Sequence, residues 1–88
     1  MYEVLLHREA AKALRRLPAA YRQRVGEALD AMERDPFSAA SDVCKLRGEF
    51  EGLWRLRLGD VRVIFAVDTE ARRVFVEGVS FREGAYRR

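Results

Sequence analysis

Apolar residues in the first half of the chain recur with the period of an α-helix, after a short apolar opening segment. Residues 2–6 are interrupted only by Glu3, which predicts a short opening strand. Residues 8–17 carry apolar side chains three or four positions apart, which predicts a short amphipathic helix. A second helix is predicted from Pro18, which suits a first helical turn, to Asp35, which precedes a proline and so leaves the helical region. The apolar positions of this second helix are Tyr21, Val25, Ala28, Leu29 and Met32.

The second half of the chain changes to a period of two, which is typical of half-buried β-strands. Residues 53–58 and 61–67 alternate in this way on either side of Gly59-Asp60. A glycine at the first central position is what a two-residue type II′ turn requires, so the two runs are predicted to form a hairpin of fixed register. The apolar side chains that then share the face beneath the helices are Trp54, Leu56, Leu58, Val61, Val63 and Phe65.

The predicted elements make up one small α+β domain. A connector is predicted at residues 37–42, a second turn at residues 68–71 and a third strand at residues 72–81. The order is therefore β-α-α-β-β-β, with two N-terminal helices packed on one face of a small, mainly antiparallel sheet built as a meander. A length of 88 residues leaves room for one core, so residues 1–88 are expected to form a single domain.

Arginine side chains are predicted to crowd the face of the hairpin that points away from the helices. The register pairs Arg57 with Arg62 across the strands and places Arg55 beside them. Directly opposed like charges destabilise a sheet by about 0.2–1 kcal/mol, so the arrangement needs an explanation. One explanation is that the arginines extend into water or that Glu77 on the third strand neutralises Arg62. The other is that the arginines form a binding site for an anion.

Charge and composition narrow the range of partners. The chain has 17 basic and 14 acidic residues, a net charge of +3, and a hydrophobic fraction of 49% that suits a folded protein. Residues 1–44 hold 7 basic and 7 acidic residues, and residues 45–88 hold 10 and 7, so the excess lies in the second half. Fifteen of the 17 cations are arginine, whose planar guanidinium binds phosphate well, although a genome-wide preference for arginine would give the same count.

The composition disfavours metal, disulfide and membrane roles. Cys44 is the single cysteine and His7 the single histidine, so an intrachain disulfide or a Cys/His metal cluster cannot form, and no cofactor or metal is expected. The longest uncharged apolar runs fall far short of the ~20 residues of a membrane helix, and the sequence lacks a signal-peptide pattern. We therefore expect a soluble cytoplasmic protein with no membrane partner.

The residue types favour RNA as the phosphate-bearing partner. The sequence has no Gly-rich phosphate loop, no paired acidic metal ligands and no Ser/His/Asp or Cys/His set. RNA is cleavable without them, because its own 2′-OH attacks the adjacent phosphate and leaves a 2′,3′-cyclic phosphate and a 5′-OH. Arginines would align and neutralise that phosphate but are poor bases. Tyr86 lies among C-terminal arginines that favour its phenolate, so it is either the proton carrier or a frayed terminal aromatic.

Several motifs together resemble one known family. The sequence reads KLRG at residues 45–48, LWRLRLGDVRVIF at 53–65, FR at 81–82 and AYRR at 85–88. This combination resembles the RelE/ParE superfamily of bacterial toxin–antitoxin toxins, and Leu17-Pro18 in the helical half fits it too. The resemblance implies two N-terminal helices on one face of a mainly antiparallel sheet and a site on the other face. In its RelE branch, which we favour, it implies a toxin that enters the ribosomal A site and cuts mRNA by the 2′-OH route.

The resemblance also implies roles for single residues. It implies catalytic roles for Arg57, Arg62, Arg82 and Tyr86. It implies RNA contacts for Lys45, Arg47, Arg55, Phe81, Arg87 and Arg88. Family members often have lysines at the positions of Arg55 and Arg57, and arginine hardly ever acts as a base, so the identity of the base stays open. Simple alternation from Val74 would put Arg82 on the core face, so a bulge near Gly78 or an early strand end is expected.

The resemblance implies protein and RNA partners, and it leaves other activities open. A toxin of this kind would pair with a cognate antitoxin in a hetero-oligomer and act on the ribosome and its mRNA. The ParE branch is similar in fold but inhibits DNA gyrase by binding, without hydrolysis. A third possibility is an inactive relative that only binds protein. The sequence favours the RelE-like ribonuclease because Arg57, Arg62, Arg82 and Tyr86 occur together.

Overall fold

Two helices pack against one face of a five-stranded sheet in the computed structural model, which describes residues 1–37 and 42–81. The predicted α+β class is confirmed. The helices are α1 (Arg8–Arg16) and α2 (Ala19–Arg34). The strands are β1 (Glu3–Leu6), β2 (Asp42–Lys45), β3 (Trp54–Leu58), β4 (Val61–Asp68) and β5 (Arg73–Phe81), with a 3₁₀ turn at Gly48–Phe50 between β2 and β3.

The helices begin and end where their sequence dictates. Helix α1 follows His7, whose Nδ1 accepts a hydrogen bond of 3.0 Å from the backbone N–H of Glu9. Helix α2 follows Pro18 and ends before Asp35, whose extended backbone is the conformation that a following proline imposes. None of the helices in the described ranges is both long and apolar enough to cross a membrane. The helical side chains buried against the sheet are Ala10, Leu17, Val25 and Met32.

The sheet has the strand order β1-β5-β4-β3-β2. Strands β2, β3, β4 and β5 pair antiparallel with their neighbours in the chain, which confirms the meander, and β1 pairs parallel with β5. Strand β2 corrects the sequence analysis, which ended a connector at residue 42 and predicted only three strands after the helices. With four residues at the sheet edge, β2 is too short to produce a clear alternating pattern.

The hairpin of β3 and β4 has the predicted turn and register. Gly59 has φ +62°, as the first central residue of a type II′ turn requires, and Arg57 pairs with Arg62 across the strands. The predicted core positions Leu56, Val61, Val63 and Phe65 are buried, together with Val74, Val76 and Val79 of β5. Trp54 was predicted to be buried but is only half-buried, because it lies next to the edge strand and packs against Phe37 with ring centroids 4.7 Å apart.

A β-bulge interrupts the pairing of β4 with β5, which is the first of the two alternatives expected from the sequence. Phe65 pairs with Val76 and Ile64 pairs with Gly78, so Glu77 is the extra residue. The bulge shifts the alternation of β5 by one position. As a result Val79 is buried on the helix side, and Ser80 stands beside Arg62 in the register.

Candidate functional site

The surface of the sheet that faces away from the helices carries the three arginines of the hairpin, and we call it the arginine face. Arg55, Arg57 and Arg62 alternate with buried apolar residues of β3 and β4, which places all three on this face. Their register forms two adjacent cross-strand rows. One row contains Cys44, Arg55, Ile64 and Gly78, and the next contains Asp42, Arg57, Arg62 and Ser80.

The guanidinium groups of Arg55 and Arg62 are held against the protein rather than extended into water. Both side chains are half-buried, and the Nε atoms of Arg55 and Arg62 and Nη1 of Arg62 are shielded from solvent. Nη2 of Arg55 donates a hydrogen bond of 3.1 Å to Sγ of Cys44, its cross-strand neighbour. Within the described ranges Nε of Arg55 has no hydrogen-bond partner, which is unusual for a buried polar atom. Arg57 is exposed beside them.

An apolar pocket opens on the same face, next to the arginines. Its cavity has a volume of about 430 Å³. Ile64 and Gly78 form part of its wall, and they belong to the cross-strand row that contains Arg55. The residues that line it are Leu46, Phe50, Leu53, Ile64, Glu77 and Gly78.

Three of the predicted RNA-binding residues lie away from the arginine face or at its edge. Lys45 pairs with Trp54 in the register, on the helix side, and its Nζ lies 5.8 Å from the centroid of that indole ring. Phe81 is half-buried and packs edge-on against Tyr21 of α2, with ring centroids 5.2 Å apart. Arg47 is exposed where β2 leads into the 3₁₀ turn and lines a second, smaller cavity with Lys45.

The C-terminal members of the predicted site lie outside the described residues. These are the catalytic candidates Arg82 and Tyr86 and the RNA-binding candidates Arg87 and Arg88. The described part of the chain reaches Phe81, whose packing on α2 fixes the end of β5. The roles of the four C-terminal candidates therefore remain predictions from the resemblance.

The arginine face has the chemistry of an anion site. A guanidinium that reaches the surface offers strong, directed hydrogen bonds to phosphate oxygens, and Arg55, Arg57 and Arg62 are each half-buried or exposed. Three such groups on neighbouring strands can contact the oxygens of one phosphate or of two consecutive phosphates. The rigid sheet also fixes their relative positions, so that little reorganisation is needed when charge develops on a bound phosphate.

Two features of the site were missed by the sequence analysis. The contact between Arg55 and Cys44 depends on β2, which was not predicted. The pocket joins Phe50 and Leu53 to Glu77, which is more than twenty positions away in the chain. The sequence did carry a signal for the pocket, because Phe50 is a large apolar residue between two glutamates. In the structure 53% of the Phe50 surface is exposed.

A family model matches nearly the whole chain. Residues 4–85 match the model described as ParE toxin of type II toxin-antitoxin system, parDE. The match covers the helices, the hairpin and β5 together.

Individual relatives share the fold and part of the sequence. The crystal structure of the archaeal RelE-RelB complex from Pyrococcus horikoshii contains a chain that is 36% identical, with a TM-score of 0.81, and the alignment covers 93% of this chain and 96% of that one. The toxin–antitoxin complex RelBE2 from Mycobacterium tuberculosis gives 28% identity and a TM-score of 0.80, over 92% and 91% of the two chains. A protein named RelE1 from Methanocaldococcus jannaschii is 29% identical over 87 residues, which is 98% of this chain and 96% of that protein.

Proposed function

Since this chain belongs to the family of ParE toxins of type II toxin–antitoxin systems and is the toxin of such a pair, we propose that it is an endoribonuclease that cuts mRNA at the ribosome. The observation that carries the proposal is the arginine face, where Arg55, Arg57 and Arg62 meet in cross-strand register. A phosphate bound on this face would add negative charge beside Arg57 and Arg62, which the register places opposite each other. The relatives named RelE support this branch of the superfamily.

In the proposed reaction the RNA supplies its own nucleophile. The 2′-oxygen attacks the adjacent phosphorus, the bond from phosphorus to the 5′-oxygen breaks, and a 2′,3′-cyclic phosphate and a 5′-OH result. The proton of the 2′-OH passes to a base, and the leaving 5′-oxygen receives a proton. Arg55 and Arg62, whose guanidinium groups are held against the sheet, would align the phosphate and stabilise its additional negative charge. Arg57 would contact the same or the next phosphate.

The proton transfers are assigned to the C-terminal segment by the resemblance. Tyr86 would be the base, because the neighbouring cations Arg87 and Arg88 favour its phenolate. Arg82 would add positive charge at the phosphate. Arg55 and Arg57 stay charged and therefore bind rather than accept protons.

A reconstituted translation reaction tests this proposal. The purified toxin is added to ribosomes translating a defined mRNA, and new 5′ ends are mapped by primer extension and tested for a 5′-OH. Arg62→Ala should lower the cleavage rate by about 10²–10³-fold, the usual effect of removing one donor to a transition-state oxyanion. Arg34→Ala, which removes an exposed arginine at the end of α2, is the matched control and should cut at the parent rate. Equal rates for the two variants would contradict the assigned role of the arginine face.

A second candidate is supported by the family description itself. The matching model is that of ParE toxins. For the ParE branch the resemblance implies inhibition of DNA gyrase by binding, without hydrolysis. The arginine face would then be a binding surface for that partner. A gyrase supercoiling assay run beside the translation reaction separates the two functions.

The partner of this toxin in the cell is proposed to be an antitoxin protein. The solved relatives include complexes of RelE with RelB, in which a toxin is bound to its antitoxin. An acidic segment of such an antitoxin would suit the arginine face and would compete with RNA for it.

A further inference from the structure

The apolar pocket on the arginine face has the properties of a ligand site. Its volume of about 430 Å³ falls in the ~300–1,000 Å³ range of small-molecule sites. Phe50, at its rim, presents 53% of its surface to solvent. Among residues 1–37 and 42–81, no heavy atom lies within 4 Å of the position that a Cβ on Gly78 would occupy, so these residues leave the floor of the pocket open above the backbone.

The distance from the pocket to the arginines is similar to the distance from the base to the phosphate of one nucleotide. Ile64 in the pocket wall and Arg62 point to the same face and are two residues apart on β4, which corresponds to about 7 Å along a strand. Arg55 is the direct cross-strand partner of Ile64. A ligand with a flat apolar part and a phosphate a few ångströms away would therefore fill the pocket and contact the arginines at once. Charge complementarity thus selects a nucleotide over a purely apolar side chain as the occupant.

We propose that the pocket binds one unstacked base of the RNA, next to the phosphate held by the arginine face; this inference rests on the proposed ribonuclease function. Single-stranded bases are commonly recognised by stacking on an aromatic side chain, and Phe50 provides one at the rim. Leu46, Leu53 and Ile64 supply the apolar walls that cover the remaining surface of the base.

Glu77 gives this pocket a means of discriminating between bases. It is the extra residue of the bulge and stands in the pocket wall, where its carboxylate accepts hydrogen bonds and donates none. Adenine, cytosine and guanine each carry an exocyclic amino group that donates to a carboxylate. Uracil has no exocyclic amino group, and its N3–H donor lies between two carbonyl oxygens, which a carboxylate repels. Glu77 therefore selects against uracil at the position bound in the pocket.

The test uses the translation reaction and three variants. Gly78→Leu fills the pocket, and its backbone tolerates a side chain because its φ is not in the left-handed region. Gly26→Leu on α2 is the matched control, since a Cβ there also meets no heavy atom of the described residues within 4 Å. Glu77→Gln alters the hydrogen-bonding groups of an exposed side chain without changing its size. For each protein the cleavage rate and the base frequencies around the mapped cuts are measured, and a melting curve confirms folding.

The parent should show uracil depleted about tenfold or more at one fixed position relative to the cut, the size expected for one lost hydrogen bond to a charged group. Glu77→Gln should remove this depletion, because the amide that replaces the carboxylate both donates and accepts hydrogen bonds. Gly78→Leu should lower the rate about tenfold or more, as loss of base stacking predicts, while Gly26→Leu cuts like the parent.

Three results would overturn the inference, and each has a distinct meaning. If the parent cuts mRNA but Gly78→Leu and Glu77→Gln match it in rate and base frequencies, the pocket holds no base while the ribonuclease function stands. If Gly78→Leu cuts normally but escapes inhibition by the antitoxin, the occupant is a protein side chain. If the parent makes no cuts, the ribonuclease function fails and the base pocket fails with it.

Discussion

The turn at Gly59-Asp60, between β3 and β4, gives a quantitative test of how the arginine face is held in place. In Gly59→Ala the new Cβ would lie 3.3 Å from Nη1 of Arg24 and 3.6 Å from Cε1 of Tyr21. The first contact is relieved cheaply, because the Arg24 guanidinium ends a flexible side chain. The main cost is the backbone, which at φ +62° disfavours an L side chain by about 1–2 kcal/mol. For a domain of this size that cost corresponds to a melting temperature lower by about 4–16 °C.

The assay is thermal and urea unfolding of the parent, Gly59→Ala and a control glycine variant. Gly26→Ala lies inside α2 without a positive φ, so it should raise the free energy of unfolding by about 0.5–1 kcal/mol. The two glycine variants should thus shift stability in opposite directions. If Gly59→Ala melts with the parent, the turn does not need a positive φ, and the register that pairs Arg57 with Arg62 loses its local explanation.

Three further predictions address the core, the antitoxin and the proton carrier. Phe65→Ala should destabilise the fold by about 3–5 kcal/mol in urea unfolding, because the ring is fully buried in the centre of the sheet, and a change below about 1 kcal/mol would contradict that packing. Binding of the cognate antitoxin should weaken as salt is added, since the arginine face attracts an acidic segment, and a salt-independent affinity in a titration would point to an apolar contact elsewhere. Tyr86→Phe keeps the ring and removes the hydroxyl, so cleavage should fall by about 10²-fold or more in the translation reaction, and cleavage at the parent rate would show that Tyr86 is not the base.

The hairpin was predictable because its signals are local. Gly59-Asp60 specifies the turn, and the alternation on both sides specifies which residues face the helices, so the register followed without any distant contact. The bulge was one of two alternatives given for β5, the other being an early strand end, because an unbroken alternation from Val74 would have put Arg82 on the core face. Helix α2 was predictable for a similar reason, since its apolar period runs unbroken between Pro18 and Asp35.

The features that were missed depend on distant parts of the chain. Strand β2 exists because β3 offers it an edge, and its four residues do not specify a strand by themselves. The parallel pairing of β1 with β5 joins the two ends of the described chain, so no local sequence pattern indicates it. The pocket arises where the 3₁₀ turn after β2 meets the bulge in β5, so neither segment indicates it alone. Lys45 was grouped with the RNA-binding residues by its motif, whereas the register places it on the helix side.

The ribonuclease proposal is tested most directly by mapping RNA ends and measuring gyrase activity after the toxin is induced in cells. We expect new mRNA ends within translated frames, predominantly with a 5′-OH and strongly reduced with Arg62→Ala, and we expect DNA supercoiling by gyrase to be unchanged. Loss of supercoiling without any new mRNA ends would contradict the ribonuclease proposal and would make the arginine face a protein-binding surface.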